Sequence, residues 1–374
     1  VSRRLRWPGG AAALVLVALT AGGCGSDGAG AGANAVQVKI TEAGCEPAEL
    51  EIEAGPTTFE VTNDGADEVN EFEVLDGERI LGEAENLAPG LSGSFSLTLE
   101  PGEYQTYCPG GTTQERGTLT VTGAAGGSSS SAEADAAMET YLAYVSEQTA
   151  LQVQATEAFV AALASGDLEA AKAAYVPARI PYERIEPIAE SFGDLDPAID
   201  AREGDVPAEE WTGFHPIEKL LWIAGTTDGT EELGRKLLAD VKSLQTKAAT
   251  IELEPAQIAN GAVELLGEVS ASKITGEEER YSRIDLVDFE ANVEGAQAAF
   301  DAVKPLLAAG EADLVAEIET EFAAVMQALD AYREGDGFVP YTELEESDTR
   351  ALSQAIDALA EPLSRVSGLI VAGR

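Results

Sequence analysis

One histidine serves the whole chain of 374 residues. His215 stands three positions before Glu218 in Gly213-Phe214-His215-Pro216-Ile217-Glu218, and Pro216 marks a helix start, where its missing N–H costs nothing. That spacing turns an imidazole and a carboxylate the same way, as a divalent-metal site on a helix requires. It also suits an acid at the positive end of a helix beside a polar ring, and the pair alone leaves both readings open. Any metal site here is one imidazole plus several carboxylates, a donor set that fits iron, manganese or zinc better than calcium. A zinc peptidase built on His-Glu-x-x-His lacks its second histidine and an obvious base.

Carboxylates surround this pair in the sequence. Residues 183–210 hold ten acids against two basic residues, Arg184 and Arg202. Glu183, Glu186 and Glu190 fall at i, i+3 and i+7, so one helix face would carry three like charges, which is unfavourable unless a cation or solvent lies between them. An irregular segment with Asp194, Asp196 and Asp200 follows. Further on, Asp285, Asp288 and Asn292 share another helix face at the same spacing. That face supplies a closing carboxylate for the site or is simply solvated, and the residues by themselves favour the solvated face.

A second place for chemistry is Cys45 and Cys108, the latter in Thr106-Tyr107-Cys108-Pro109-Gly110. A blue-copper centre needs two histidines with its cysteine, and residues 36–122 contain neither His nor Met. Two readings remain: a disulfide, natural in an oxidising compartment, or two thiolates sharing a metal with a carboxylate such as Glu71. The residues favour the disulfide.

Two kinds of element must position these groups. Segments 36–40, 50–52, 58–61, 71–74, 94–99 and 118–121 alternate in twos and are separated by turn residues such as Asn63-Asp64-Gly65 and Pro101-Gly102. They predict a Greek-key β-sandwich over 36–122. A Gly/Ser-rich linker, 123–134, leads to helical periodicity at 136–164, 183–192, 216–224, 231–249, 256–273, 284–308, 313–333 and 349–371. Residues 135–374 therefore read as an all-α bundle, rich in the helix formers Ala, Leu and Glu.

The N-terminus has the form of an export signal. Arg3, Arg4 and Arg6 precede an apolar run too short to span a bilayer, which ends in Thr20-Ala21-Gly22-Gly23-Cys24. The expectation is a signal peptide over 1–23, lipidation of Cys24, and a flexible tether over 24–35. The protein would then be extracytoplasmic and lipid-anchored to the cell membrane. The formal charge of −44, from 67 acids and 23 Lys plus Arg, would repel phosphate backbones and excludes a nucleic-acid role. It suits a cation-handling surface and also one that is merely soluble.

Taken together, the leader, the His-free sandwich, Tyr182-Glu183-Arg184-Ile185-Glu186-Pro187-Ile188-Ala189-Glu190-Ser191-Phe192, Asp194-Leu195-Asp196 and Gly213-Phe214-His215-Pro216-Ile217-Glu218-Lys219 resemble the EfeO family. These are extracytoplasmic components of a bacterial iron-uptake system, with an N-terminal cupredoxin and a C-terminal imelysin-like domain. The resemblance implies a cupredoxin-like sandwich followed by an imelysin-like bundle. It implies iron, ferrous or ferric, held in the helical domain by His215 and Glu218 with Glu183, Glu186 and Asp200 and a second-half acid, Asp288 or Asp285. In the sandwich it implies copper or iron on Cys45, Glu71 and Cys108. It also implies a monomeric, non-enzymatic protein whose partners are an iron permease and a peroxidase-type component, with a copper-binding ferroxidase as the alternative.

Overall fold

The computed structural model describes residues 34–77, 79–124, 131–307, 309–335 and 337–373. The expected signal peptide, Cys24 and most of the tether and linker lie outside the described residues.

Alternation of apolar and polar side chains gives the first half its strands. In β1 (Asn34–Thr41), Val36, Val38 and Ile40 are buried while Gln37 and Lys39 face water. Eight more follow: β2 (Gly44–Glu46), β3 (Glu49–Glu53), β4 (Gly55–Asn63), β5 (Phe72–Asp76), β6 (Arg79–Ala84), β7 (Ser92–Leu99), β8 (Gly102–Tyr107) and β9 (Arg116–Thr122). They form two sheets, β2-β1-β4-β7 and β3-β9-β8-β5-β6; the β1–β4 and β3–β9 pairs are parallel and the others antiparallel. Between the sheets, Phe59, Phe72 and Phe95 pack with ring centroids 5.1–6.1 Å apart. Each fully buried ring contributes on the order of 1.5–3 kcal/mol. Strands β2, β6 and β8 were not expected from the sequence, being short or interrupted by polar residues.

The second half is helical: α1 (Ala132–Ser165), α2 (Leu168–Glu183), α3 (Leu195–Asp200), α4 (Phe214–Lys219), α5 (Thr230–Ala248), α6 (Pro255–Ala271), α7 (Asp285–Val303), α8 (Ala312–Asp330), α9 (Glu346–Leu363) and α10 (Arg365–Val371). The Ser131 hydroxyl caps α1 by accepting from the Ala134 N–H at 3.0 Å. Helix α2 is absent from the sequence reading because Pro177 and Pro181 interrupt its pattern; both are accommodated within the helix. The expected helix over 183–192 is corrected too. The α-helix ends at Glu183, and a 3₁₀ turn with Pro187 near its start spans Glu186–Phe192. Glu183, Glu186 and Glu190 therefore do not share one helix face.

Helix α6 joins the halves by lying against β6 and β7. The Asn260 side chain donates to the Ser96 carbonyl at 3.0 Å, Gln257 donates to the Leu81 carbonyl at 3.2 Å, and Arg79 on β6 donates to the Glu252 carbonyl at 3.2 Å. Between these contacts and the helical turns lies a cavity of about 310 Å³, bordered by Glu83 and Glu85 of the sandwich and by Glu186, Glu190, Asp200, Glu264, Glu268 and Glu278.

Candidate metal centre

The histidine owes its position to local backbone geometry. Gly213 adopts a φ of +90°, and a Cβ there would collide with the Ile199 carbonyl, so α4 starts in close contact with the end of α3. Two residues after Gly213, His215 is 2% exposed. A π turn, Leu220–Ala224, follows α4 directly.

His215 Nδ1 lies 3.1 Å from Glu218 Oε2. The other Glu218 oxygen accepts backbone N–H bonds from Tyr281 at 2.8 Å and Ser282 at 2.6 Å. Burial opposes ionisation of Glu218, but its bond to His215 and these two amides hold its pKa below the usual carboxylate range. Glu218 is thus a fixed acceptor that orients the ring and binds the loop before α7. One Glu218 oxygen is bonded to the ring and the other to the two amides, so Glu218 stands behind the ring on its Nδ1 side.

The open side of the ring is Nε2, which is buried and has no hydrogen-bond partner. It faces Asp200 Oδ1 at 3.5 Å and Glu278 Oε1 at 3.8 Å. Ligand atoms of Asp200, His215 and Glu278 all lie within 4.8 Å of one another. One imidazole nitrogen and two carboxylates converge here from α3, α4 and the loop before α7.

Beside this trio lies a buried ion network. Arg179 on α2 is 0% exposed and pairs with Glu183, Asp200, Glu278, Glu279 and Asp288, its Nη2 lying 3.2 Å from Glu278 and 3.1 Å from Asp288. Burial alone would disfavour its charge, but Glu183, Asp288 and Glu279 hold its pKa well above the usual value. Lys273, 1% exposed, pairs with Glu186 and approaches Glu183 and Glu278 at 3.7 Å. Burial pushes Glu278 up, yet Lys273, Arg202, Arg179 and His215 bring it down to about 2, so these neighbours hold it ionised. Asn292 donates to the Glu183 carboxylate at 3.0 Å and also to Glu186.

The structure brings His215, Glu218, Glu183, Glu186, Asp200 and Asp288 into one region, but in different roles. Glu183 and Asp288 share Arg179; Glu186 belongs to Lys273 and Asn292; Asp200 faces His215. The face of Asp285, Asp288 and Asn292 is fully buried, not solvated. Asp285 accepts the Glu279 N–H at 3.1 Å, and burial raises its pKa to about 6, so it braces the loop. The sequence reading missed Arg179, Lys273, Glu278 and Glu279. Its available signal was the run Glu277-Glu278-Glu279-Arg280 close before α7. In the sandwich, Cys45 and Cys108 form a disulfide with Cα atoms 6.0 Å apart, joining the two sheets. Neither sulfur remains a thiolate donor, which corrects the Cys45–Glu71–Cys108 ligand set.

The chain matches the family models Imelysin over residues 137–366 and Cupredoxin-like domain over residues 11–121. It is 41% identical over 345 residues to the iron uptake system component EfeO of Escherichia coli (strain K12), covering 90% of this chain and 91% of that one. The counterpart from Shigella flexneri matches to the same extent. The chain belongs to the EfeO family. Among solved structures, the sandwich of this EfeO-family chain is similar to a reduced auracyanin from Roseiflexus castenholzii (17% identity, 25% of this chain, 99% of that chain, TM-score 0.21) and to a purple cupredoxin from Nitrosopumilus maritimus (28%, 23%, 99%, 0.20).

Proposed function

We propose that the protein captures iron outside the cytoplasm for a bacterial uptake system, binding it through His215 Nε2, Asp200 and Glu278. The observation that carries this reading is the unpartnered, buried Nε2 facing two carboxylates. The relatives named above are iron uptake components, which supplies the identity of the cargo. Iron binding here is an exchange of partners: Asp200 is bonded to Arg179 and Glu278 to Arg179 and Arg202. An arriving ion takes over carboxylates that already have counter-cations, so the site stays folded when empty and gives its cargo up to a membrane permease. Hard, exchangeable oxygen donors favour such release, whereas an all-thiolate cage would retain the ion.

The reading is of a carrier, with no catalytic step assigned to His215 or Glu218. Retention at the cell surface would come from a lipid on Cys24, which follows the small residues Thr20-Ala21-Gly22-Gly23. Anaerobic titration of the full chain with ferrous ion tests the site. His215→Ala should remove one equivalent of bound iron while leaving the far-ultraviolet circular dichroism unchanged, and undiminished binding would refute the assignment. Cys24→Ser should move the protein from the membrane fraction to the soluble one.

A further inference from the structure

The other side of the cavity carries carboxylates of a different kind. Glu73 on β5 lies directly opposite Glu83 on β6, and Glu71, two positions before Glu73, lies on the same side of the ribbon. Like charges placed opposite each other on neighbouring strands are destabilising. Oxygens of Glu71, Glu73 and Glu83 nevertheless all come within 4.8 Å of one another. Glu83 is 3% exposed, and its Oε2 has no hydrogen-bond partner. Glu190 of the 3₁₀ turn and Glu264 of α6 meet Glu83 from the helical side, and all three border the cavity. Among the described residues no ion pair involves Glu71, Glu73, Glu83, Glu190 or Glu264, although every cluster member is an acid. A group of carboxylates with no ion-pair partner, one of them buried with an unpartnered oxygen, is arranged for a cation from outside.

We propose that this junction is a second metal site, in which a hard divalent or trivalent cation is bound by Glu73 and Glu83 of the sandwich and by Glu190 of the helical half. Glu71 and Glu264 supply further negative charge around it. Only oxygen donors are present, which suit hard cations such as magnesium, calcium or manganous ion. Because its ligands come from both halves, the bound ion ties the sandwich to the bundle. Glu83 and Glu190 share the cavity with Asp200 and Glu278, so the two centres exchange ions through a common acidic space. The inference stands on the junction residues and does not require that His215 binds iron.

The probe is manganous ion alone, added to metal-free full-length protein and followed by calorimetry. Wild type should bind two equivalents. Glu83→Gln and Glu190→Gln should each lose one equivalent, and their metal-free forms should melt at a higher temperature than wild type because a repulsion is gone. Retention of the wild-type stoichiometry and affinity by Glu83→Gln would overturn the site. Loss in Glu83→Gln with full retention in Glu190→Gln would overturn the bridge between the halves. His215→Ala separates this result from the iron-capture reading. If it binds as wild type while Glu83→Gln loses an equivalent, the junction site stands and the His215 centre falls; if it loses one equivalent while both glutamine variants bind as wild type, the reverse holds.

Discussion

Two clusters of buried carboxylates border one cavity and are balanced by opposite means. In the helical centre, Arg179, Lys273 and Arg202 are woven among the acids, so Glu278 is held ionised at about 2. At the junction no ion pair involves the acids among the described residues, and the Arg116 charge offsets only part of the rise at Glu73. Burial, followed by the charge of Glu71, pushes Glu73 up to about 9, and burial with neighbouring acids brings Glu190 to about 7. Glu278 is thus held as an anion by Lys273, Arg202 and Arg179, whereas burial pushes Glu186, Glu279 and Asp288 of the same cluster up, as it does Glu73 and Glu190 at the junction. The helical centre carries its counter-charges as basic side chains. At the junction, burial and mutual repulsion favour bound protons.

Removing the built-in cation breaks the comparison most severely. Arg179→Met would leave Glu183, Glu278 and Asp288 buried without their shared partner, and a loss of about 3–5 kcal/mol in urea unfolding is expected. A loss under about 1 kcal/mol would mean that the network is not what holds the helical centre together. Next in size is Glu218→Gln, which leaves an acceptor for the ring but removes the charge that orients it. Ferrous affinity at the His215 centre should fall about 10–100-fold with little change in helicity; unchanged affinity would demote Glu218 to a loop brace.

The pH response sharpens the contrast between Glu278 and the junction acids Glu73 and Glu190, whose shifts have opposite signs. Glu73 and Glu190 hold protons in the folded state that the unfolded chain releases above its ordinary carboxylate range. Metal-free stability should therefore fall as pH rises from about 4.5 toward about 9 for Glu73, and toward about 7 for Glu190. Glu278 acts the other way, contributing stability above about 4.5 that is lost as pH falls toward about 2. Urea midpoints of metal-free protein at pH 5, 7 and 8.5 should decline in that order, and Glu73→Gln should flatten the decline. A rise from pH 5 to 8.5 would contradict the account of the junction. The smallest effect is expected from Asn260→Ala, which removes the bond to the Ser96 carbonyl and should cost about 1 kcal/mol. If manganous ion offsets that cost in wild-type sandwich residues but not with Glu190→Gln added, the ion is acting across the junction.

Much of this was legible in residue order. Alternation in twos and then helical spacing separate sandwich from bundle, because a strand or helix exposes its period directly to the sequence. His215 stood out by its solitude, and Cys45 with Cys108 by the oxidising context. The failures also have physical causes. Helix α2 escaped because prolines are read as breakers, although its packing against α1 and α7 carries it past them. The burial of Asp285, Asp288 and Asn292 was illegible because a polar face looks alike whether it meets water or a distant arginine.

What the sequence by itself determined is the chemical inventory and the local elements: one imidazole, a large excess of carboxylates, two cysteines in the sandwich, a β region and an α region. Which oxygens face Nε2, which are held by Arg179 and Lys273, and which meet across the sandwich and α6 was decided only by tertiary packing. Arg179 lies 109 positions from Asp288, and Glu83 far from Glu190 in sequence. Electrostatic balance in a low-dielectric interior depends on distances of a few ångströms in space, and separation along the chain carries no record of them.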